Sequence, residues 1–523
     1  MKALRLAGRF FFSRLTIKLL TVVMFFLLIF PPFKPVVDGL VKIVLVWGGI
    51  QLVADLLTRR NCLRARHAVW LILLLAVQAI TILLNYTAGF KENLSNLCYT
   101  ALGMLVLYPN DEGQSRENLL REIWVVSWVY IAFCAVGSLL SLGMLIADYS
   151  ATFEYGGVLY YIGLERGRLF GVFSNPNLPA SAIALAVCCL QVLLCRDIAK
   201  KRWALPVQYT LLGICAFLNL LYLMLSQSRG SLIAFAAFLL VFLFFLFRKT
   251  IFSRLKSLAL SSTVSLAVSA AVLAAAVFAY PVAMQAGDQL MILYQQQREQ
   301  AAESESPALS AKANLISLSR TNSTTSFPRS VGMPAGANGR LQANRLSIII
   351  RPENEEDFTT GRVELWKQGI ERFLEKPVWG YGNTGSLEGV MQDSGQALHF
   401  HNLFIHSLAA GGAMGTAALG IVLCAMVLSM GRFIWKNRRA TGFRNGYLYV
   451  LIALFALYMV NNLVEVYLIY RVSLPHFIFW IYMGYLLSLI SQGVPRTRVD
   501  GFLCRLADRF PALGRKRETR PEN

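Results

Sequence analysis

Apolar runs of roughly 18–25 residues, the length a helix needs to cross a bilayer, recur along this chain and decide what it can fold into. "LLTVVMFFLLIF" (Leu19 to Phe30) and "AFAAFLLVFLFFLF" (Ala234 to Phe247) are the cores of two such runs. The sequence is 56% hydrophobic and only 15% charged, more apolar side chain than a soluble domain can cover with polar surface. The expected fold is an all-α polytopic membrane protein with about 12 transmembrane helices by the same length criterion. Their centres fall near Val23, Val46, Leu74, Gly103, Ile131, Leu185, Leu212, Ala237, Val268, Gly415, Leu454 and Tyr482. The fourth has only a short run before Pro109.

Charge supplies the orientation. Basic clusters alternate with the runs: Arg5/Arg9/Arg14, Arg59/Arg60/Arg64/Arg66, Arg116/Arg121, Arg196/Lys200/Lys201/Arg202, Arg248/Lys249/Arg254/Lys256, Arg432/Lys436/Arg438/Arg439/Arg444, and the tail from Arg496 to Arg520. All fall on one side if both termini are cytoplasmic, as the positive-inside rule requires. The net charge of +21 is therefore a topology signal and implies no nucleic acid partner. The expected location is the cytoplasmic (inner) membrane, with the working face outside. The first apolar run is too long for a signal-peptide core and no small-residue cleavage site follows it, so no cleavable signal is expected. The nine cysteines are scattered, mostly within apolar runs, and form neither a disulfide framework nor a CxxC metal pattern.

Four segments follow: membrane helices over 1–280 (about nine spans by run length), an outer loop over 281–402, further membrane helices over 403–491 (about three spans), and a basic cytoplasmic tail over 492–523. In the loop, Gln285 to Glu305 reads as a polar helix. The Ser, Thr, Gly, Pro and Asn content near 306–350 reads as a disordered insert. Val363, Trp366, Ile370 and Phe373 recur at spacings of three and four, which predicts an amphipathic helix over 362–375 lying on the outer interface. Lys376-Pro377 ends it, and Gly380, Gly382 and Gly385 make a turn.

Four polar stretches fall on the outer side: "ERGRLFGVFSNPN" (Glu165 to Asn177), "SQSRGS" (Ser226 to Ser231), "GRVELW" (Gly361 to Trp366) and "HFHNLFIH" (His399 to His406). The last holds three of the chain's five histidines. Several arginines break the charge trend there: Arg166, Arg168, Arg229, Arg362, Arg372 and Arg471. Guanidinium forks bind phosphate oxygens in pairs, and an imidazole serves as a general base near neutral pH. Each stretch has a plainer reading. Arg229 could snorkel, Asn177 could cap the following helix, Arg362 could be solvated or lipid-bound, and the histidines could be interfacial. A His-x-His zinc site is a third reading of the histidines, with no carboxylate closer in sequence than Asp393.

In order along the chain, the four stretches resemble the O-antigen ligase and polymerase family of bacterial membrane glycosyltransferases. An R-x-x-G-x-F-x-x-P-N element resembles Arg168, Gly171, Phe173, Pro176 and Asn177. S-x-S-R-G resembles Ser226, Ser228, Arg229 and Gly230, and R-x-x-x-W with P-x-x-G-x-G resembles Arg362, Trp366, Pro377, Gly380 and Gly382. H-N followed by G-x-x-G resembles His401, Asn402, Gly412 and Gly415. The departures are the insert before Arg362 and the extra histidines His399 and His406, which leave open which imidazole acts. The resemblance implies a glycan donor on undecaprenyl pyrophosphate, a glycan or glycolipid acceptor hydroxyl, surrounding membrane lipids, and the lipid pyrophosphate as leaving group.

On that reading His401 is the general base and Asn402 orients it or the acceptor. Arg168, Arg229 and Arg362 bind the pyrophosphate, with Asn177 and His399 beside the substrate. Glu465, an ionisable residue near the outer end of a span, is a second candidate base or hydroxyl ligand. Direct displacement would invert the anomeric carbon. The nearest acidic run, "NEEDF" (Asn354 to Phe358), reads as a solvated face, so no metal and no cofactor is expected. A transporter or flippase of lipid-linked glycans is the competing class, kept open by Asp38, Lys42 and Asp55 in an early span, and a non-catalytic assembly partner is a third.

Overall fold

The computed structural model describes residues 11–156, 158–165, 167–195, 205–317, 361–392, 395–396, 399–440, 446–495 and 497–509. Each of the twelve expected centres falls inside a helix. The first four are α1 (Arg14–Leu27), α2 (Lys34–Leu57), α3 (Ala68–Leu84) and α4 (Phe90–Ala101), which runs on into a π-helical turn over Leu102–Leu107. Then come α5 (Arg116–Ile146), α6 (Asn177–Leu194), α7 (Leu205–Leu225), α8 (Arg229–Leu255) and α9 (Leu258–Ser317). The amphipathic α10 (Arg362–Glu375) precedes α11 (Leu403–Lys436), α12 (Gly446–Asn461), α13 (Leu474–Ser491) and α14 (Arg498–Arg509).

Among the described residues, eight of these helices are long and apolar enough to cross a bilayer. The other four of the twelve, α1, α3, α4 and α12, are shorter, between 12 and 17 residues. Within the bundle, α6 and α13 are almost wholly buried, whereas the apolar part of α9, Leu258–Gln297, is almost wholly exposed. On α2 the residues Val36, Ile43, Ile50 and Leu57 stay exposed at seven-residue intervals. An apolar stripe of that spacing left on the outside of a helix is what lipid, rather than water, tolerates.

Besides a two-stranded hairpin of Met391–Gln392 with Gly395–Gln396, two features depart from the expected organisation. Between α5 and α6 the chain forms an antiparallel three-stranded sheet: β1 (Ala151–Tyr155), β2 (Val158–Glu165) and β3 (Arg168–Gly171). Its aromatic and β-branched residues alternate too briefly to register against the long apolar runs on either side. The second is α9, whose backbone stays helical to Ser317, through the expected polar helix and into the first part of the stretch expected to be disordered. Residues 318–350 of that stretch, and Asn354 to Phe358, lie outside the described residues.

The basic clusters meet at one end of the bundle. Arg14 pairs with Asp55 at 2.7 Å and with Asp111 at 3.2 Å, and Arg59 reaches Asp111 at 3.1 Å. Arg64 pairs with Asp508 at 2.6 Å, which docks α14. Arg66 donates to the Val494 carbonyl at 3.2 Å, and Lys436 to the Gly493 carbonyl at 2.6 Å. Lys249 donates to the Asn437 carbonyl at 2.7 Å and Arg248 to that of Arg438 at 3.1 Å. Arg5, Arg9, the 196–202 cluster, Arg444 and Arg496 lie outside the described residues. Helix direction then carries the N-termini of α8, α11 and α13 to the opposite end.

At that opposite end α11 is broken. Gly412 sits at φ 63°, ψ −162°, and the helix resumes beyond it. The break frees backbone groups that would be unsatisfied in an apolar setting. The Pro377–Gly382 loop takes them up. Tyr381 and Gly382 donate to the carbonyls of Ala409 (3.1 Å) and Ala410 (2.9 Å), while Ala413 and Met414 donate to those of Pro377 (2.7 Å) and Val378 (3.1 Å). A Cβ on Gly380 would lie 2.6 Å from the Ala410 carbonyl carbon, so a side chain there would hold the loop off. The loop following α10 is thereby stitched into α11. Replacing Gly412 by Ala imposes left-handed strain of about 1–3 kcal/mol and should lower the thermal midpoint of the detergent-purified protein. Gly420→Ala, in regular helix with open space around it, should leave that midpoint unchanged or raise it.

Candidate functional site

The opposite end gathers the expected residues around one carboxylate. Glu465 follows α12 in a segment fixed by Asn462, whose Oδ1 accepts from the Tyr467 N–H at 2.8 Å. Glu465 is 4% exposed. Its Oε1 lies 3.5 Å from Arg362 Nη2 and 3.5 Å from His401 Nδ1. Its Oε2 lies 3.4 Å from Arg471 Nη1 and 3.8 Å from His399 Nε2. Burial pushes this carboxyl up, but the His401 contact and the charges of Arg471 and Arg362 outweigh it and hold the group below the usual carboxylate range. His399 is pushed well below the ordinary imidazole value, first by burial and then by the neighbouring Arg471.

Local sequence explains each position. Arg362 is the first residue of α10, after Gly361 at φ 73°. Leu365 and Gly369 seat that helix on α11, where Phe400 and Ile405 pack against Gly369. Val363 and Ile370, on the apolar stripe expected to face the interface, are exposed, together with Leu374. His401 has φ 50°, a left-handed conformation uncommon for a residue with a side chain. Asn402 follows as the N-cap of α11, its Oδ1 accepting from Phe404 N–H (2.9 Å) and Ile405 N–H (3.2 Å). Its Nδ2 donates to the Leu463 carbonyl at 3.1 Å, and Leu403 N–H donates to the Asn462 carbonyl at 2.8 Å. The amide of Asn402 thus ties the His401 corner to the Glu465 segment.

The three clustered histidines divide by position. His399 and His401 face Glu465. His406, one turn into α11, is buried against Tyr470, its Nε2 2.7 Å from Asn383 Oδ1.

A second group lies alongside. Arg168, opening β3, donates from Nε to the Ser226 carbonyl at 3.1 Å and from Nη2 to Asn177 Oδ1 at 2.8 Å. Asn177 is the first residue of α6, and its N–H is received by Asn175 Oδ1 at 2.7 Å, so the capping oxygen is that of Asn175. Ser226 opens the turn, directly after α7, that leads to Arg229 at the start of α8. A Cβ on Gly230 would lie 2.7 Å from Val464 Cγ2, which sets the first turn of α8 against the residue preceding Glu465. Ser231 bonds Ser181 of α6 at 2.9 Å, closing the same junction. The N-termini of α6, α8, α10 and α11 therefore come together with Arg168, Arg229, Arg362 and Arg471. Helix N-termini carry partial positive charge and exposed N–H groups, so the ensemble suits an anion.

Arg471 was not among the expected site residues. Its signal was present, since it is one of the arginines that break the charge trend. His399, His401 and Glu465 also place three donor atoms within 4.8 Å of one another, close enough to share a metal ion. Two guanidinium groups already press on that carboxylate, and the donor set does not suit an added cation.

Asn402→Ala should cost about 1 kcal/mol of stability through the lost cap, read as a lower thermal midpoint. Asn402→Ser, which keeps a capping oxygen, should recover most of it.

No curated protein matches this chain. Residues 214–420, from within α7 to within α11, match a family model described as O-antigen ligase. The match takes in Arg229, Arg362, His401 and the stitched Pro377–Gly382 loop, and leaves Arg168, Glu465 and Arg471 outside it. That match, over about two fifths of the chain, makes this stretch similar to O-antigen ligases and bears out the resemblance to the O-antigen ligase and polymerase family.

Proposed function

We propose that this protein transfers a glycan from undecaprenyl pyrophosphate to an acceptor sugar hydroxyl at the outer face of the cytoplasmic membrane. The convergence of Arg362, Arg471, His399 and His401 on a single buried carboxylate, with the Arg168–Ser226–Asn177 group alongside, carries the reading. The two guanidinium groups of Arg362 and Arg471 exceed the one negative charge of Glu465, and a pyrophosphate complements the excess. Arg168, Arg229 and Arg362 receive the leaving group, the role a divalent metal plays in many sugar transferases.

His401 acts as the base. Its Nδ1 faces Glu465, which leaves Nε2 for the acceptor hydroxyl. Glu465 then stabilises the imidazolium formed as the proton arrives, the division of labour found in acid–histidine pairs. The hydroxyl oxygen bonds to the anomeric carbon as the bond to the pyrophosphate oxygen breaks, so configuration inverts. Asn177 holds Arg168, and His399 stands behind His401.

Placement also favours an enzyme over a transporter or flippase. The polar groups collect at one end of the bundle, whereas a transporter sets them near its middle on paired broken helices. Asp55 is paired to Arg14 at the basic end, away from this site.

The test uses purified protein in nanodiscs with lipid-linked repeat units, with and without candidate acceptors, and sizes the products. A ladder identifies a polymerase and a single addition a ligase. His401→Ala should lose about 10²–10⁴-fold in rate, the usual contribution of a positioned base. Arg362→Ala should raise the donor KM as well as lower kcat. Unchanged transfer by His401→Ala in properly inserted protein sinks the assignment.

A further inference from the structure

We propose that Arg471 and His399 are positioning residues, a brace that holds Glu465 and the left-handed corner at His401 in register for proton abstraction. The inference rests on the reading of His401 as the base. It assigns a role to an arginine outside the matched 214–420 span and moves His399 from the substrate side to the scaffold side.

The geometry is continuous. Arg471 Nη1 lies between two groups, 3.4 Å from Glu465 Oε2 and 2.5 Å from His399 Nε2. The other nitrogen of His399, Nδ1, accepts from the backbone N–H of His401 at 3.2 Å. The two imidazole rings stand edge to face, with centroids 4.0 Å apart and planes at 64°. A neutral imidazole accepts at one nitrogen only, so with Nδ1 receiving the His401 N–H, Nε2 carries the ring proton beside Glu465 Oε2. Arg471 therefore reaches His401 through Glu465, while the His399 ring, packed against Arg471, holds the backbone that aims His401. Holding a non-glycine residue at φ 50° requires surroundings that over-determine it. His399 supplies that hold by receiving the N–H, and Asn402 supplies it from the following residue.

Arg471 is anchored in turn. Its guanidinium stands 5.8 Å from the Tyr467 ring centroid. The preceding residue, Tyr470, is a second left-handed corner at φ 68°. The Tyr470 carbonyl accepts from Asn383 Nδ2 at 3.0 Å and from Asn96 Nδ2. Asn383 follows the loop stitched into α11, and Asn96 belongs to α4. Two strained corners thus face each other across one carboxylate, each fixed to a different part of the bundle. Arg362 from α10, His399 and His401 from the segment before α11, and Arg471 and Tyr467 from the segment after α12 are the charged and titratable groups around Glu465.

A brace and a pyrophosphate ligand make different predictions. In nanodisc transfer assays, Arg471→Gln should lower kcat about tenfold or more while leaving the donor KM within about threefold. Its pH–rate profile should shift as well. Without the guanidinium, Glu465 protonates and His399 charges at higher pH, so the acidic limb should move to higher pH. Added guanidinium ion should restore part of the rate. His399→Asn, which can still accept the His401 N–H, should retain more activity than His399→Leu. Thermal midpoints and monodispersity of each variant check that it is folded. A raised donor KM with unchanged kcat for Arg471→Gln would make Arg471 a substrate ligand and overturn the brace. A fall in rate with no movement of the acidic limb and no guanidinium rescue would leave Arg471 a merely structural residue and overturn it too. If His401→Ala is inactive while Arg471→Gln and His399→Asn match the parent protein, the brace alone fails. If His401→Ala is fully active, the base assignment fails first.

Discussion

Glu465 is a buried carboxylate with more positive partners than one negative charge can balance. Removing a carboxylate from water is expensive unless it is paired, and removing either partner of such a pair leaves an uncompensated charge. Here the pairing is redundant. Arg362 arrives from α10, Arg471 from the segment before α13, and two imidazoles from the segment before α11. Each element must reach the carboxylate for it to remain ionised below the surface. The site therefore works as the joint that closes this end of the bundle. The surplus of positive charge left over is what an anionic substrate would meet.

The joint can hold its geometry because of the broken helix beneath it. A continuous α11 would present no free backbone groups to the Pro377–Gly382 loop, and α10 would be tethered to the bundle by side chains alone. The break at Gly412 exchanges intrahelical hydrogen bonds for four bonds to the loop. Irregular backbone at membrane depth is tolerated where protein satisfies it. The exchange fixes α10, and with it Arg362, relative to His401 on the same helix that carries the break. The paired glycine motifs P-x-x-G-x-G and G-x-x-G thereby acquire a physical meaning. Gly380 and Gly412 are the two sides of one main-chain contact, too close for side chains.

Much of this was legible in the sequence, for reasons that differ by residue. The helix centres were legible because a long apolar run has few alternatives to a helix in lipid. Arg362, His401 and Glu465 stood out because polar groups at helix mouths are costly without a purpose, and the fold brings the three together. Arg471 broke the same charge trend, but no motif surrounded it and only the fold shows what it touches. The roles of Asn177 and Asn402 were not legible. A cap, a ligand and a spacer share the same residue type, and the partner decides: Arg168 for Asn177, the α11 N–H groups for Asn402. The sheet at β1–β3 was hidden between spans. On α10 the periodicity gave the right boundaries and an apolar stripe for the interface, whose Val363 and Ile370 are exposed with Leu374, but it did not single out Leu365 and Gly369, which seat the helix on the protein.

The concentration of histidines between 399 and 406 follows from the same joint. A segment entering a helix from a left-handed corner points successive side chains in very different directions. His399 and His401 flank Phe400, which is fully buried, so both rings are turned to the carboxylate while the phenyl ring packs inward. His406 lies one helical turn past the cap and faces Asn383 and Tyr470 on the far side. Three imidazoles in eight residues thus occupy two environments, one ionic and one neutral. Only His401 combines contact with the carboxylate with partial exposure, at 22% of its side chain against 7% for His399. The proposed base needs both: a counter-ion for the proton it takes up and access to a hydroxyl arriving from outside. Chemical identity made all three histidines candidates, and access separates His401 from the other two.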